Sequence, residues 1–230
     1  MVRILRLFLA TSIISSGTVQ VAAPASAPIE ITTAMVIDVD GAPNAYGPKG
    51  KPTLDFELNA HKRAQVSGEI VGYLTKDDGK TPELQGPSDP FPGYYISTTA
   101  FFDRANPNPL DPKRYVDATK INYVVMSDIA MKKGVALGDF VAVYSTKSRK
   151  SVYGIVGDDG NPSGAEGSLA LLQALGYPFR NGKSGSVEGK ELVVRYFPGS
   201  NPKHMFYQMQ AQIDAHATAI GLNKQFPLSE

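Results

Sequence analysis

Two carboxylates eight positions apart, Asp158 and Glu166, stand on either side of one loop in the stretch from Tyr153 to Ser168, YGIVGDDGNPSGAEGS. A short apolar run ends abruptly at Gly157 and the pair Asp158-Asp159, a Gly/Pro/Ser loop follows, and Glu166 opens an apolar pattern of helical spacing. Loops held between regular elements are where catalytic groups are commonly placed. Two carboxyl groups in different surroundings can divide acid and base work, because each environment sets its own pKa. The same residues also have ordinary roles. Ser163 three positions before Glu166 fits a helix capping box. Asp158 could close a turn after a strand, and Asp159-Gly160 fits a turn better still.

The elements that must position these groups are mostly short strands. The chain has 22 Gly and 17 Pro, which break it into short pieces. Apolar or β-branched runs bounded by turn residues predict strands over Thr32 to Ile37, Gly68 to Leu74, Tyr94 to Thr99 and Asn122 to Met126. Three more follow over Phe140 to Tyr144, Ser151 to Val156 and Glu191 to Phe197. Asp77-Asp78-Gly79 and Lys147 to Lys150 read as turns. Two helices are predicted. One runs from Gly164 to Leu175 with Gly176 as its C-terminal cap. The other runs from about Lys203 to Ile220 and carries Met205, Met209 and Ile213 on one packing face. Many strands with two helices predict a mainly β (β-rich α+β) single domain, a small closed or half-closed barrel, with the double-psi type among the candidates. Strand order is not legible at this level.

Composition narrows the function classes. Arg3 and Arg6, followed by Leu7, Phe8, Leu9, Ala10, Ile13 and Ile14, have the layout of a secretory signal. The apolar stretch is shorter than a membrane span needs. Ala23-Pro24-Ala25 places cleavage after Ala25, giving a signal peptide over 1–25 and a domain over 26–230. Loss of Arg3 and Arg6 takes the formal net charge from +1 to −1, so no basic excess points to nucleic acid. There is no cysteine, which excludes thiol chemistry and disulfide support. His61, His204 and His216 have no ligand spacing. Asp38-Val39-Asp40-Gly41 lacks the rest of a calcium loop. No metal or cofactor is expected.

Several separated segments, in order along the chain, resemble the glycoside hydrolase family 75 chitosanases. They are Ile37 to Ala42, Tyr95 to Thr99 with Asp103, Asp111-Pro112 with Arg114 to Ile121, Gly138-Asp139, Tyr153 to Asp158, and Gly164 to Ser168. The resemblance implies an exported, endo-acting hydrolase of β-1,4-linked glucosamine in chitosan, working with inversion. It implies that Asp158 and Glu166 are the essential carboxylates. The loop between them is shorter here than in fungal members, an alanine precedes Glu166, and the fungal cysteines are absent. Inverting hydrolysis needs one protonated carboxyl for the leaving oxygen and one carboxylate to activate water. Glu166, placed beside an apolar helix face, is given the acid role and Asp158 the base role.

Chitosan carries ammonium groups at mildly acid pH, and a buried ammonium needs a partner. Asp38, Asp40, Asp103 and Asp117 lie in the resembling segments and are candidates for that contact. Tyr95 and Tyr153 are candidates for stacking on sugar faces, and Lys120 for orienting a carboxylate. Each Asp could equally serve a turn, and core packing is the preferred reading of Tyr95. The polysaccharide is the expected partner, with no membrane contact after processing, and a monomer is expected. A hydrolase of another amino-sugar polymer, such as deacetylated peptidoglycan, and a non-catalytic carbohydrate-binding protein are the competing readings.

Overall fold

The computed structural model describes residues 27–61 and 69–227. The predicted signal segment over 1–25 falls outside the described residues, as does Gly68 of the second predicted strand. Six strands close into a barrel in the order β1-β5-β2-β4-β3-β6. They are β1 (Ile29–Asp38), β2 (Tyr123–Val125), β3 (Phe140–Ser145), β4 (Ser151–Asp158), β5 (Glu166–Ser168) and β6 (Ser186–Tyr196). The pairs β1/β5 and β2/β4 are parallel, and the other four are antiparallel. The domain is therefore the small β-rich barrel that strand-like runs punctuated by turn residues imply.

Alternation fills the barrel. Met35 and Ile37 of β1 point inward while Val36 between them is 49 % exposed. The inner face is tight at Gly167, where a Cβ would stand 2.5 Å from Met35 Sδ, so no larger residue fits without displacement. In β3, Phe140 to Val143 are all buried, because the outer face of the strand is covered as well. Such double burial gives a continuous apolar run rather than an alternating one. The turn between β3 and β4 sits at the predicted Lys147 to Lys150. Asp78 closes its turn by accepting from the Lys80 and Thr81 N–H groups.

Three α-helices, among the described residues, decorate the barrel where two were predicted: α1 (Asp128–Lys132), α2 (Leu169–Ala174) and α3 (Gln210–Ala219). The extra one is five residues long, too short for its periodicity to stand out. The helix predicted from Gly164 begins five positions later. Glu166 to Ser168 instead insert as β5 between β1 and β2, and Ser168 is the cap, accepting from the Leu171 N–H at 3.1 Å. Ser163 and Glu166 therefore form no capping box. The last helix also starts late. Asn201 binds both the N–H and the carbonyl of Met205, which holds this segment as a loop. Ile213 and Ala217 are buried, and α3 packs on β4. Met205 and Met209 lie 44 % and 57 % exposed, outside the packing face assigned to them.

The segments around 68–74 and 94–99 are not strands of the sheet. They make isolated bridges such as Tyr73 with Ser97 and Leu84 with Tyr95. Side chains complete the pairing, as where Gln85 Nε2 donates to the Tyr95 carbonyl and Ser97 Oγ to the Gly72 carbonyl. The result is a layer of loops packed against one side of the barrel, with Ala42, Tyr46 and Tyr73 joined to the common core.

Candidate active site

The loop layer meets the barrel wall at a group of four carboxylates. Parallel pairing of β1 with β5 sets Val36 beside Glu166 and Asp38 beside Ser168. Paired residues share a face of the sheet. Asp38, two positions from Val36, and Glu166 therefore lie on one face, diagonal to each other and turned away from the barrel interior. β5 runs antiparallel to β2 with Gly167 opposite Val124, which puts Glu166 next to Val125. On the far side of β2 the register slips, so that Val124 pairs with Val156 but Val125 pairs with Asp158. Gly157 is the extra residue of this bulge. Bulges re-aim side chains, and this one brings Asp158 onto the face that holds Glu166. Gly157 also lies flat against Tyr123, where a Cβ would approach the ring to 2.6 Å. Asp158 and Glu166 thus stand two strands apart, about 9–10 Å between Cα atoms at ordinary strand spacing.

Each carboxyl group is held. Asp158 is buried, and its Oδ1 accepts from the Ala100 and Asp159 N–H groups at 2.9 and 2.8 Å. Among the described residues the only sealed, unpartnered side-chain polar atom is Ser148 Oγ, so Asp158 Oδ2 is not shut in. Asp38 Oδ1 accepts from the Asp40 N–H at 2.8 Å. Asp40 Oδ1 accepts from the Tyr46 hydroxyl at 2.6 Å. The Tyr123 hydroxyl donates to the Asp40 carbonyl at 3.0 Å and also contacts the Asp38 carboxyl. Glu166 is half-buried and hydrogen-bonded by Asn161 of the connecting loop.

Among the described residues no cation pairs with the group. The ion pairs among the described residues are Lys120 with Asp117 and Arg195 with Glu30, and neither involves it. Burial therefore dominates the titration, and like charges add to it. Asp38 is raised to about 7 by burial first and by Glu166 second. Asp40 is raised well above the usual carboxylate range by burial, then by Asp38 and Asp158. Asp158 is raised well above it by burial, then by Asp38, against the opposing backbone N–H bonds. Glu166 is raised by burial and lowered by Asn161. Proximity holds several of these groups protonated at a pH where free carboxyls are ionised. Among the described residues no group of three or more His, Asp or Glu is placed to hold a metal ion.

A pH dependence of stability follows. In the unfolded chain an aspartate ionises near pH 4. Folding raises Asp38, Asp40 and Asp158, so their contribution is fully present below about pH 4 and is lost as pH rises through their raised values, about 7 for Asp38. The melting temperature is expected to fall by a few degrees or more between pH 5 and pH 8. Asp40→Asn should flatten that fall. Calorimetry at both pH values checks this, and a melting temperature that rises over the interval contradicts it.

The other residues marked out by the sequence lie apart from the four carboxylates. Asp103 closes a turn by accepting from the Ala105 N–H at 2.9 Å. Asp117 accepts from the Thr119 N–H and pairs with Lys120 at 2.7 Å. Both line a separate surface groove with Tyr115, Ile121, Phe206 and Tyr207. Tyr95 is buried, its ring 4.8 Å from Tyr73, whose ring is 5.7 Å from Tyr46. Tyr153 is buried near the other end of β4, five residues from Asp158, where its hydroxyl donates to the Leu222 carbonyl at 2.5 Å. Its place is in the packing of the C-terminal segment. Asp159 is exposed at the turn after β4, and with Asn161 and Met131 it borders a shallow depression beside the loop. Tyr46 and Tyr123 were not singled out from the sequence. A tyrosine inside an apolar strand, like Tyr123, carries one signal: a buried hydroxyl must find a partner.

Set against known proteins, the chain matches no protein-family model, and no curated protein matches it in sequence.

Proposed function

We propose that the protein is an exported, endo-acting glycoside hydrolase that cleaves β-1,4-linked glucosamine in chitosan by inversion. The observation that carries this reading is the set of four carboxylates at the junction of barrel wall and loops, with no cationic partner among the described residues. Two of them, Asp158 and Glu166, lie on one face of the barrel wall with one strand between them. Inverting hydrolases hold their carboxyls roughly 6.5–9.5 Å apart. The segments that resemble the family 75 chitosanases include Asp38, Asp40, Asp158 and Glu166, which supports the same reading.

The roles proposed here reverse those expected from the sequence. Glu166 lies on a strand, half-buried, and not against an apolar helix face. Asn161 favours its ionised form. Asp158 is the more buried group and has Asp38 against it. Asp158 then donates a proton from Oδ2 to the leaving glycosidic oxygen. Glu166 removes a proton from the water that attacks the anomeric carbon from the opposite side. Whichever of these carboxyls is ionised attracts the ammonium groups of the polymer and offers nothing comparable to neutral glucans.

Release of reducing ends from chitosan, chitin, cellulose and peptidoglycan tests the reading. Cleavage is expected on highly deacetylated chitosan, with little on chitin or cellulose. Added salt should weaken binding to the polymer, because charge contacts near the surface are screened. Equal rates on chitosan and cellulose would remove the role given to charge. Preference for deacetylated peptidoglycan would move the assignment to that polymer.

A further inference from the structure

We propose that Asp38 is a third working carboxylate of this site, a positioning residue that acts through Asp158. The inference rests on the hydrolase reading above and adds a member to its machinery. Three placements support it. Asp38 ends β1, diagonal to Glu166 on the adjacent strand and on the same face. Its Oδ1 is fixed by the Asp40 N–H at 2.8 Å. The Tyr123 hydroxyl reaches it from β2, the strand between those that carry Glu166 and Asp158. Asp38 is thus tied by hydrogen bonds to the wall that holds both reacting groups, without lying on the turn that carries Asp158.

The electrostatics agree with the placement. Asp38 is the foremost like charge acting on Asp158 and on Asp40, and Glu166 is the foremost acting on Asp38. The groups facing Asp38 are Asp40 and Tyr46 from the loop after β1, Asp55 from the next loop, Tyr123 from β2, Asp158 from β4 and Glu166 from β5. Asp159 also acts on Asp158, and Lys183 faces Asp55. Among the described residues none of the groups acting on Asp38 is a cation. Two neighbouring carboxyls that cannot both ionise share a proton, and their titration belongs to the pair. Asp38 therefore opposes loss of the Asp158 proton and extends the pH range over which Asp158 can serve as the acid.

The alkaline limb of kcat/KM reports ionisation of the essential acid in the free enzyme. Asp38→Asn keeps the shape and removes the opposing charge, so Asp158 loses its proton at lower pH. The limb should move acidward by one pH unit or more. Carbon-13 titration of the aspartate carboxyls in the unliganded protein should show Asp158 moving the same way. Both movements together support the proposal. An unmoved Asp158 titration, or an unmoved limb, overturns it, since a merely structural Asp38 would lower stability or rate at every pH alike. If Asp38→Asn does not fold, Tyr123→Phe takes its place. It leaves both carboxyls, removes the hydroxyl contact that favours ionised Asp38, and so should also move the limb acidward; an unmoved limb there is equally decisive. The carbon-13 titration needs no turnover. A wild-type protein with the coupled titration but no action on chitosan would therefore refute the hydrolase reading and leave the coupling itself intact.

Discussion

Asp158→Asn is expected to fold normally and to lose turnover on chitosan by roughly 10²–10⁴-fold or more, the range that proton transfer by a positioned side chain contributes. Folding should survive because the amide oxygen of asparagine can still accept from the Ala100 and Asp159 N–H groups that now bond Oδ1. An amide at this position is neutral, as the buried, protonated Asp158 is, so the substitution adds no charge to the group. Glu166→Gln should produce a loss of the same order. Helix capping does not confuse that result, because α2 is capped by Ser168 and the Leu171 N–H, not by Glu166. The amide of glutamine can still bond Asn161 but cannot take a proton from water. Asp159→Asn is the control. Asp159 is exposed, its backbone N–H bonds Asp158 whatever its side chain, and its charge is a lesser influence on Asp158 than that of Asp38, so most activity should remain. Circular dichroism and denaturant unfolding of each variant separate lost chemistry from lost fold. Full activity in either Asp158→Asn or Glu166→Gln, with loss confined to Asp159→Asn, would contradict the assignment.

The barrel was legible wherever a strand's own residues carry its pattern. β3, β4 and most of β1 read directly as apolar runs, and the turn at Lys147 to Lys150 as polar punctuation. β5 was not legible. Glu166, Gly167 and Ser168 have no strand preference of their own, and they become a strand because β1 and β2 leave a slot that only a small residue such as Gly167 fits against Met35. That slot is a tertiary fact, which is why local periodicity extended the following helix backward over Glu166. The segments near Tyr73 and Tyr95 failed in the opposite direction. Their β-like composition serves a loop layer whose carbonyls are satisfied by side chains such as Gln85 and Ser97.

The four carboxylates were each marked out from the sequence, but their convergence was not. Asp38 and Asp158 are 120 positions apart, and what joins them is the barrel order and the Gly157 bulge. The reversal of roles proposed for Asp158 and Glu166 has the same origin. Glu166 was credited with an apolar surrounding that belongs to the helix after it, whereas the deeper burial falls on Asp158. Tyr123 and Tyr46, which hold Asp38 and Asp40, read as ordinary core aromatics until their hydroxyls are seen to end on the carboxylate cluster.

The placement of Asp158 and Glu166 two strands apart makes a stereochemical demand that no binding experiment shares. The inverting reading requires the two carboxyls to leave room for a water between Glu166 and the sugar. Attack by that water on the face opposite the leaving oxygen turns a β-linkage into an α-anomer in one step. A closer pair, with carboxyls ~5–5.5 Å apart, would attack directly and retain the β-configuration through a covalent intermediate. Proton NMR spectra recorded in the first minutes of hydrolysis of highly deacetylated chitosan, before the anomers equilibrate, measure the outcome directly. The account predicts that the α-anomer of the new reducing end appears first. Initial formation of the β-anomer, or no new reducing end at all, would contradict it.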